Sequence, residues 1–264
     1  MTGSGLRRAL GGMAALAAGT AVLGVVELRV AGIWPRLPRP DFDLDGPIDP
    51  EVAGPGGDAG GDGGRRLRLV WLGDSTVAGE GASDAAHTLP HLVARDLDRP
   101  VEIRSLAEPG TTVAEVLRRQ APRVAGLGPD AVFVSVGAND VSHLHTRGWF
   151  GRRYRELVRS LPGGIPLVLL GVPDMGAGVP RRVQPLRAFS EWRGARLDAA
   201  VRRAAREAGA TYVDIAGRTG RLFRRHRRRL YAADRYHPDD EGYQTWARAV
   251  LDRLRETGTL SSTS

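Results

Sequence analysis

The stretch LVWLGDSTVAGEGAS, residues 69–83, passes from a short apolar run directly into Gly-Asp-Ser and a series of small residues. The apolar run at 67–72 predicts a buried β-strand, which the turn follows at once. Gly, Asp and Ser are common turn formers, so one interpretation is a plain turn. The other is that Ser75 is a nucleophile presented at the carboxyl end of a strand. Only the rest of the chain discriminates between the two.

Strand-like and helical patterns alternate along the chain from residue 65 onward. Further apolar runs predict strands at 101–106, 131–136, 166–171 and 211–215. Helical patterns lie at 88–97, 112–124, 149–161, 184–208 and 239–256. This alternation predicts parallel strands with right-handed crossovers, and hence a three-layer α/β/α sandwich with a sheet of about five strands. In such sheets the active crevice lies at the carboxyl ends of the strands, which is where Ser75 falls.

Two more polar blocks follow predicted strands. Gly110 lies after the second strand and just before a helix start, where an unpaired backbone N–H group could face an anion. Asn139 lies after the third strand, in Gly-Ala-Asn-Asp, and an asparagine amide can donate to an oxyanion. Taken singly, each block is equally compatible with an ordinary turn or helix cap.

The fourth block is YAADRYHPDDEGYQTWA, residues 231–247. It places Asp234 three residues before His237, with Pro238 at the start of the last helix. This spacing lets the carboxylate of Asp234 curl back and accept a hydrogen bond from Nδ1 of His237, which leaves Nε2 free to act as a base. The alternative is a histidine bonded beside a helix N-terminus for structural reasons.

Taken together, the four blocks resemble those of the SGNH, or GDSL-type, hydrolase family, over about residues 66–256 and in the family's order. The resemblance implies a flavodoxin-like sheet and hydrolysis of esters or thioesters with no metal and no cofactor. It implies catalytic roles for Ser75, Asp234 and His237, and an oxyanion hole formed by Ser75, Gly110 and Asn139. The second block departs from the family, since SLAEPG stands where many members carry an asparagine and an additional glycine.

The N-terminus carries an uncharged, mostly apolar run at residues 9–26, after Arg7 and Arg8. A helix of this length reaches about 27 Å, just short of the hydrocarbon thickness of a bilayer. Val30-Ala31-Gly32 is a poor signal-peptidase site. Residues 1–32 are therefore predicted to be a signal anchor, with the catalytic domain outside the cytoplasm. A cleaved signal with secretion, or a buried helix, is the alternative.

Three further segments complete the predicted organisation. Residues 33–64 contain six prolines, a glycine-rich end and no sustained periodicity, which predicts a tether. The hydrolase domain is predicted to cover residues 65–258, and residues 259–264 are predicted to be a tail.

Composition excludes several classes of function. Hydrophobic residues make up 42% of the chain, which is enough for a sizeable core. All 38 basic residues are arginine, and the formal net charge is +8, but no nucleic-acid recognition motif accompanies this charge. The chain has no cysteine, which excludes disulfides and thiolate metal sites. The sequence therefore predicts neither a nucleic-acid partner nor a metal.

Other chemistry-bearing residues fit recognised patterns poorly. Two histidine pairs, His87 with His91 and His143 with His145, lack the acidic residues of a metal motif. The GEGAS stretch at 79–83 lacks the rest of a dinucleotide fingerprint and is predicted to be a loop. The arginine-rich stretch GRLFRRHRRRL at 220–230 is either a solvated face or a contact for anionic lipids or an anionic substrate.

Three hypotheses for the function follow. The first is an envelope-anchored serine esterase acting on a lipid, an acetylated glycan or a small acyl ester. The second is an acyltransferase that uses the same residues but excludes water from the acyl-enzyme. The third is a non-catalytic binding module on the same fold, against which the intact set of Ser75, Asp234 and His237 argues.

Overall fold

The computed structural model describes residues 37–49, 65–97, 99–178 and 184–260, which form a six-stranded sheet with helices on both faces. The strands, in spatial order, are β1, β3, β2, β4, β5 and β6. Their bounds are Gly46–Ile48 (β1), Leu67–Gly73 (β2), Val101–Ser105 (β3), Ala131–Ser135 (β4), Leu167–Leu170 (β5) and Thr211–Val213 (β6). Strands β2 to β6 pair in parallel, so the five predicted strands and their flavodoxin-like order are confirmed.

The helices lie in two layers, one on each face of the sheet. They are α1 (Leu89–Arg95), α2 (residues 113–124), α3 (Ala138–Ser142), α4 (Arg147–Ser160), α5 (Leu186–Ala208), α6 (Ile215–Arg225), α7 (Arg227–Leu230) and α8 (Asp240–Thr257). Leu69 and Trp71 of β2 join a core with α1, α6 and α8, while Val70 and Leu72 join a core with α2, α4 and α5. The predicted three-layer sandwich is confirmed.

The helical patterns in the sequence did not predict three of these helices, namely α3, α6 and α7. Helix α3 spans only five residues, and α7 only four, too few to show a helical period. Helix α6 lies largely in the arginine-rich stretch, and only two of its four buried residues, Ile215 and Phe223, carry apolar side chains, so its buried face shows little apolar pattern in the sequence. Tertiary packing rather than local pattern supports these helices.

Strand β1 is antiparallel to β3 and lies within the segment predicted to be a tether. Asp45 accepts a hydrogen bond from the N–H of Ser105 at 2.7 Å, and the side chain of Leu44 is buried. Pro47 is tolerated because β1 is an edge strand, where one N–H group has no ladder partner to lose. A strand of three residues is too short to show alternation, which is why the sequence pattern missed it.

The domain also extends beyond its predicted end at residue 258. Helix α8 ends at Gly258 in a left-handed cap, and Thr259 Oγ1 then lies 2.6 Å from Oγ1 of Thr211 in β6. Leu260 packs against the core, so the predicted tail begins later than residue 259.

Within the described ranges, none of the helices is both long enough and apolar enough to cross a membrane. The predicted signal anchor at residues 1–32 lies outside the described residues.

Candidate active site

The turn that carries Ser75 begins at Gly73, the last residue of β2. A Cβ atom at Gly73 would lie 2.2 Å from the backbone oxygen of Ser135 in β4, so only glycine fits without moving the sheet. The N–H of Gly73 donates to Oε1 of Gln120, and its carbonyl accepts from Nε2 of the same side chain, both at 2.9 Å. Gln120 is fully buried in α2, and no motif in the sequence marks it. The strand end that precedes Ser75 is therefore held by a side chain as well as by the sheet.

Ser75, His237 and Asp234 form one continuous hydrogen-bonded chain. Oγ of Ser75 lies 2.9 Å from Nε2 of His237, and Nδ1 of His237 lies 2.5 Å from Oδ2 of Asp234. The other carboxylate oxygen, Oδ1, accepts from the backbone N–H groups of Tyr236 and His237 at 3.0 and 3.1 Å. Ser75 and His237 are buried, so this chain is largely shielded from bulk water.

The conformation of the loop between α7 and α8 brings the carboxylate of Asp234 to the ring of His237. Tyr231 and Pro238 form an antiparallel bridge, and the N–H of Ala232 donates to the carbonyl of His237 at 2.9 Å. Arg235 adopts a left-handed conformation, with φ of 57°, at the tip of the loop. The closed loop turns the acid back toward the imidazole ring, as the spacing in the sequence suggests.

Two carboxyl groups near Ser75, the half-buried Asp234 and the buried Asp74, differ in the direction of their pKa shifts. Burial alone would raise the pKa of Asp234, but hydrogen bonds from the His237 side chain and from the backbone of Tyr236 and His237 outweigh it and lower that pKa. Asp234 is therefore suited to remain an anion beside Nδ1 of His237. Burial raises the pKa of Asp74 to about 6, against the opposing hydrogen bonds from Thr76.

The second and third blocks meet beside the turn that carries Ser75. Gly110 is left-handed, with φ of 79°, and in the described part of the chain neither its N–H nor that of Ser75 has an acceptor. Oγ1 of Thr111 donates to the carbonyl of Gly73 at 3.0 Å, which ties the second block to the turn. Nδ2 of Asn139 donates to the carbonyl of Thr111 at 3.0 Å and retains a second N–H. These three donors are the ones that the sequence pattern selects for an oxyanion hole.

Asp140 holds the third block against helix α2. Its buried carboxylate accepts from the N–H of Val113, the first residue of α2, at 3.0 Å and contacts Nδ1 of His145 at 2.8 Å. Burial raises the pKa of Asp140, against the opposing hydrogen bonds from His145 and Val113. Asn139 directly precedes Asp140, so the contacts of the Asp140 carboxylate also fix the position of the Asn139 side-chain amide.

Glu80 is a further residue at the site that sequence reasoning missed. Its Oε2 atom lies 3.5 Å from Nε2 of His237, on the nitrogen that also contacts Ser75. Glu80 falls in the GEGAS stretch that was predicted to be a loop, and no motif identifies a glutamate at this position.

The histidine pairs do not assemble metal sites. Across the described residues, no group of three or more His, Cys, Asp or Glu side chains could hold a metal ion. The rings make local contacts instead: His87 with Asp84, His91 with the carbonyl of Leu44, His143 with the carbonyl of Asn139, and His145 with Asp140.

The arginine-rich stretch divides into two groups. Three arginines have partners within the domain: Arg224 with Asp174 and Glu191, Arg227 with the carbonyl of Gly178, and Arg229 with Glu241. Asp174 is nearly buried, so Arg224 neutralises an acid that water barely reaches. The second group, Arg221, Arg225 and Arg228, is exposed, and the interpretation as an anionic contact now concerns these three alone.

A serine, a histidine and an aspartate in one hydrogen-bonded chain at the carboxyl ends of a parallel sheet form an arrangement typical of serine hydrolases. The chain belongs to the GDSL-like lipase/acylhydrolase family, whose model matches residues 71–245. The residues that the four blocks single out, Ser75, Gly110, Asn139 and the pair Asp234 and His237, all lie inside the matched range.

Similar proteins include one curated relative and many solved structures. A GDSL-like esterase of Mycobacterium tuberculosis is 32% identical over 196 residues, which are 72% of this chain and 62% of that protein. The chain thus spans less than two thirds of that relative's length. The lipase/acylhydrolase from Enterococcus faecalis is 20% identical, with a TM-score of 0.57 over 72% of this chain and 96% of its own. The acetylxylan esterase Axe2 from Geobacillus stearothermophilus, as a catalytic mutant, is 22% identical, with a TM-score of 0.55 over 71% and 94%. Family and fold together define a GDSL-like lipase/acylhydrolase domain.

Proposed function

We propose that this protein is a serine esterase that cleaves carboxylic esters through an acyl-enzyme on Ser75. The main support is the hydrogen bond of 2.9 Å between Oγ of Ser75 and Nε2 of His237. A second hydrogen bond, of 2.5 Å, joins Nδ1 of His237 to Oδ2 of Asp234. A serine hydroxyl becomes a nucleophile when a base lies within hydrogen-bond distance and a third group orients that base. Lipids, acetylated glycans and small acyl esters are the candidate substrates.

The first step is attack on the ester carbonyl. Oγ of Ser75 bonds to the carbonyl carbon while its proton passes to Nε2 of His237. Asp234 holds the imidazole in the tautomer with Nδ1 protonated and stabilises the imidazolium that forms. When the tetrahedral intermediate collapses, the alcohol leaves with the proton from Nε2. Water then repeats the sequence on the acyl-enzyme, releases the carboxylic acid and restores the Ser75 hydroxyl.

The oxyanion of the intermediate needs donors that no other group occupies. The N–H groups of Ser75 and Gly110 meet this requirement among the described residues, and the side-chain amide of Asn139 adds a third donor. Because these donors belong to folded backbone and to an anchored side chain, they require little reorganisation as the charge develops.

Covalent labelling with a fluorophosphonate, followed by hydrolysis of p-nitrophenyl esters of increasing acyl length, tests the proposal. The wild-type protein should be labelled and active, whereas Ser75→Ala should fold, resist labelling and lose activity. Ser83→Ala, at an exposed serine that contacts His87, is the matched control and should keep both properties. An active Ser75→Ala protein would exclude Ser75 as the nucleophile.

We also propose that residues 1–32 anchor the protein in the membrane with the esterase domain outside the cytoplasm. The support is the sequence alone, namely Arg7 and Arg8 followed by the uncharged run at 9–26.

A further inference from the structure

Glu80 places a second carboxylate at the reacting nitrogen of His237. Its Oε2 atom lies 3.5 Å from Nε2, while the carboxylate of Asp234 contacts Nδ1 on the opposite side of the ring. The Glu80 side chain is 18% exposed. In a chain with 38 arginines, none of those in the described ranges forms an ion pair with Glu80. His237 is therefore the one basic side chain paired with this acid in the described part of the protein.

The backbone holds Glu80 at this position from several sides. Its N–H donates to the carbonyl of Ser75 at 2.9 Å, and its carbonyl accepts from the buried hydroxyl of Tyr243 at 2.7 Å. The residues before and after it, Gly79 and Gly81, are both left-handed, with φ of 84° and 98°. A Cβ atom on Gly81 would lie 2.3 Å from the carbonyl oxygen of Pro238, so this turn packs closely against the loop that carries His237.

The chemistry of the reaction brings the alcohol part of the substrate to the same place. Nε2 of His237 must pass its proton to the leaving oxygen, which therefore approaches to about 3 Å from Nε2. An oxygen at that distance from Nε2 has the Glu80 carboxylate as a neighbour. The atoms next to the leaving oxygen, on the alcohol side, are then the part of the substrate that Glu80 can contact.

We propose that Glu80 is a specificity-determining residue that accepts a hydrogen bond from a hydroxyl group on the carbon next to the ester-bearing carbon. The site thereby favours monoacyl esters of diols and polyols over esters of simple alcohols. This inference rests on the proposed esterase function of Ser75. It concerns the alcohol part of the substrate alone.

Charge explains why a hydroxyl fits better than an anionic group. Glu80 and Asp234 both contact His237, so an anionic alcohol would meet repulsion from two carboxylates. A neutral hydroxyl avoids this cost and still makes a charge-assisted hydrogen bond to Glu80.

The test compares two acetate esters of equal size, 2-hydroxyethyl acetate and propyl acetate, with the full-length protein. Wild type should show a kcat/KM about 10-fold higher for the hydroxylated ester, the usual gain from a hydrogen bond to a charged group. Glu80→Gln should bring the two values within about threefold of each other, because a neutral amide is the weaker acceptor. Glu156→Gln is the matched control, since Glu156 pairs with Arg153 on the exposed face of α4, and should keep the wild-type ratio.

Two results would overturn the inference. A wild-type ratio near one does so without any variant, even where Glu80→Gln fails to fold. A ratio that Glu80→Gln leaves at the wild-type value also does so, and an equal loss on both esters, which leaves the ratio unchanged, would show that Glu80 acts through His237 and not on the alcohol. A wild-type protein that hydrolyses neither ester and resists fluorophosphonate labelling instead removes the esterase proposal, and the inference with it.

Discussion

Gln120 of α2 holds Gly73 of β2 through two hydrogen bonds of 2.9 Å: its Oε1 accepts from the Gly73 N–H, and its Nε2 donates to the Gly73 carbonyl. The two residues are 47 positions apart, and both bonds are buried. Gly73 lies two residues before Ser75, so a helix side chain fixes where the turn that carries Ser75 leaves the sheet. We expect this contact to position the proposed nucleophile.

Gln120→Ala should lower both stability and activity. The N–H of Gly73 loses its acceptor in a buried site, which should reduce the free energy of unfolding by about 2–4 kcal/mol. The displaced turn should also lower kcat/KM for an ester by about 10- to 100-fold, since small misplacements of a nucleophile are costly. Urea unfolding and steady-state kinetics measure the two effects. Gln244→Ala, on α8, is the control, and an equal response in both variants would contradict a specific role for Gln120.

Asn139→Ala should separate labelling from turnover. Loss of one side-chain oxyanion donor should lower kcat by about 100- to 1,000-fold, while Ser75 and His237 keep their contact. Fluorophosphonate labelling should therefore persist in a protein that turns over slowly. A kcat within about threefold of wild type would remove Asn139 from the oxyanion hole.

Asp234→Asn should keep the fold and lose most of the activity. The amide can donate to the imidazole and favour the tautomer in which Nε2 carries the proton, so that Nε2 no longer accepts from Ser75. The expected fall in kcat is about 10⁴-fold. Asp252→Asn, at an exposed aspartate that pairs with Arg255, should behave like wild type. Circular dichroism establishes that both variants are folded, and comparable activity in the two would exclude Asp234 from the mechanism.

Asp74 should make stability fall as pH rises toward neutrality. Its pKa is about 6 in the folded protein, against an ordinary value of 3.8, so the folded state binds more protons between these values. The stabilising contribution of Asp74 is complete below the unfolded pKa and is lost as pH rises through the folded pKa. Asp74→Asn cannot ionise, and its amide oxygen can still accept from Thr76. Relative to wild type, this variant should gain about 2 kcal/mol in free energy of unfolding between about pH 4.5 and about pH 8. Urea titrations at both pH values measure this difference, and a constant difference would contradict the raised pKa.

Residues 1–32 should keep the protein at the membrane. Fractionation should find the full-length chain in the membrane pellet, and external protease should digest its esterase domain. A soluble product whose N-terminus begins near residue 33 would show instead that the segment is a cleaved signal. Edman degradation or mass spectrometry of the N-terminus decides between these outcomes.

The sequence by itself predicted the five parallel strands of the sheet and supplied the candidate site residues. Apolar runs separated by helical patterns were enough for the five parallel strands, because each run carries its own local period. The positions of Ser75, Asn139 and His237 followed from short blocks placed at strand ends. Asp234 followed from its spacing to His237, since three residues span one turn of backbone.

Only the tertiary structure decided the contacts that join remote segments. Strand β1 exists because β3 offers it an edge, and three residues carry no period of their own. Gln120 contacts Gly73, and Glu80 contacts His237, because the crossover connections and the loop before helix α8 bring distant parts of the chain to one end of the sheet. Such contacts depend on how whole layers of helices and strands pack together. A sequence pattern reports only on residues a few positions apart, so it could not predict them.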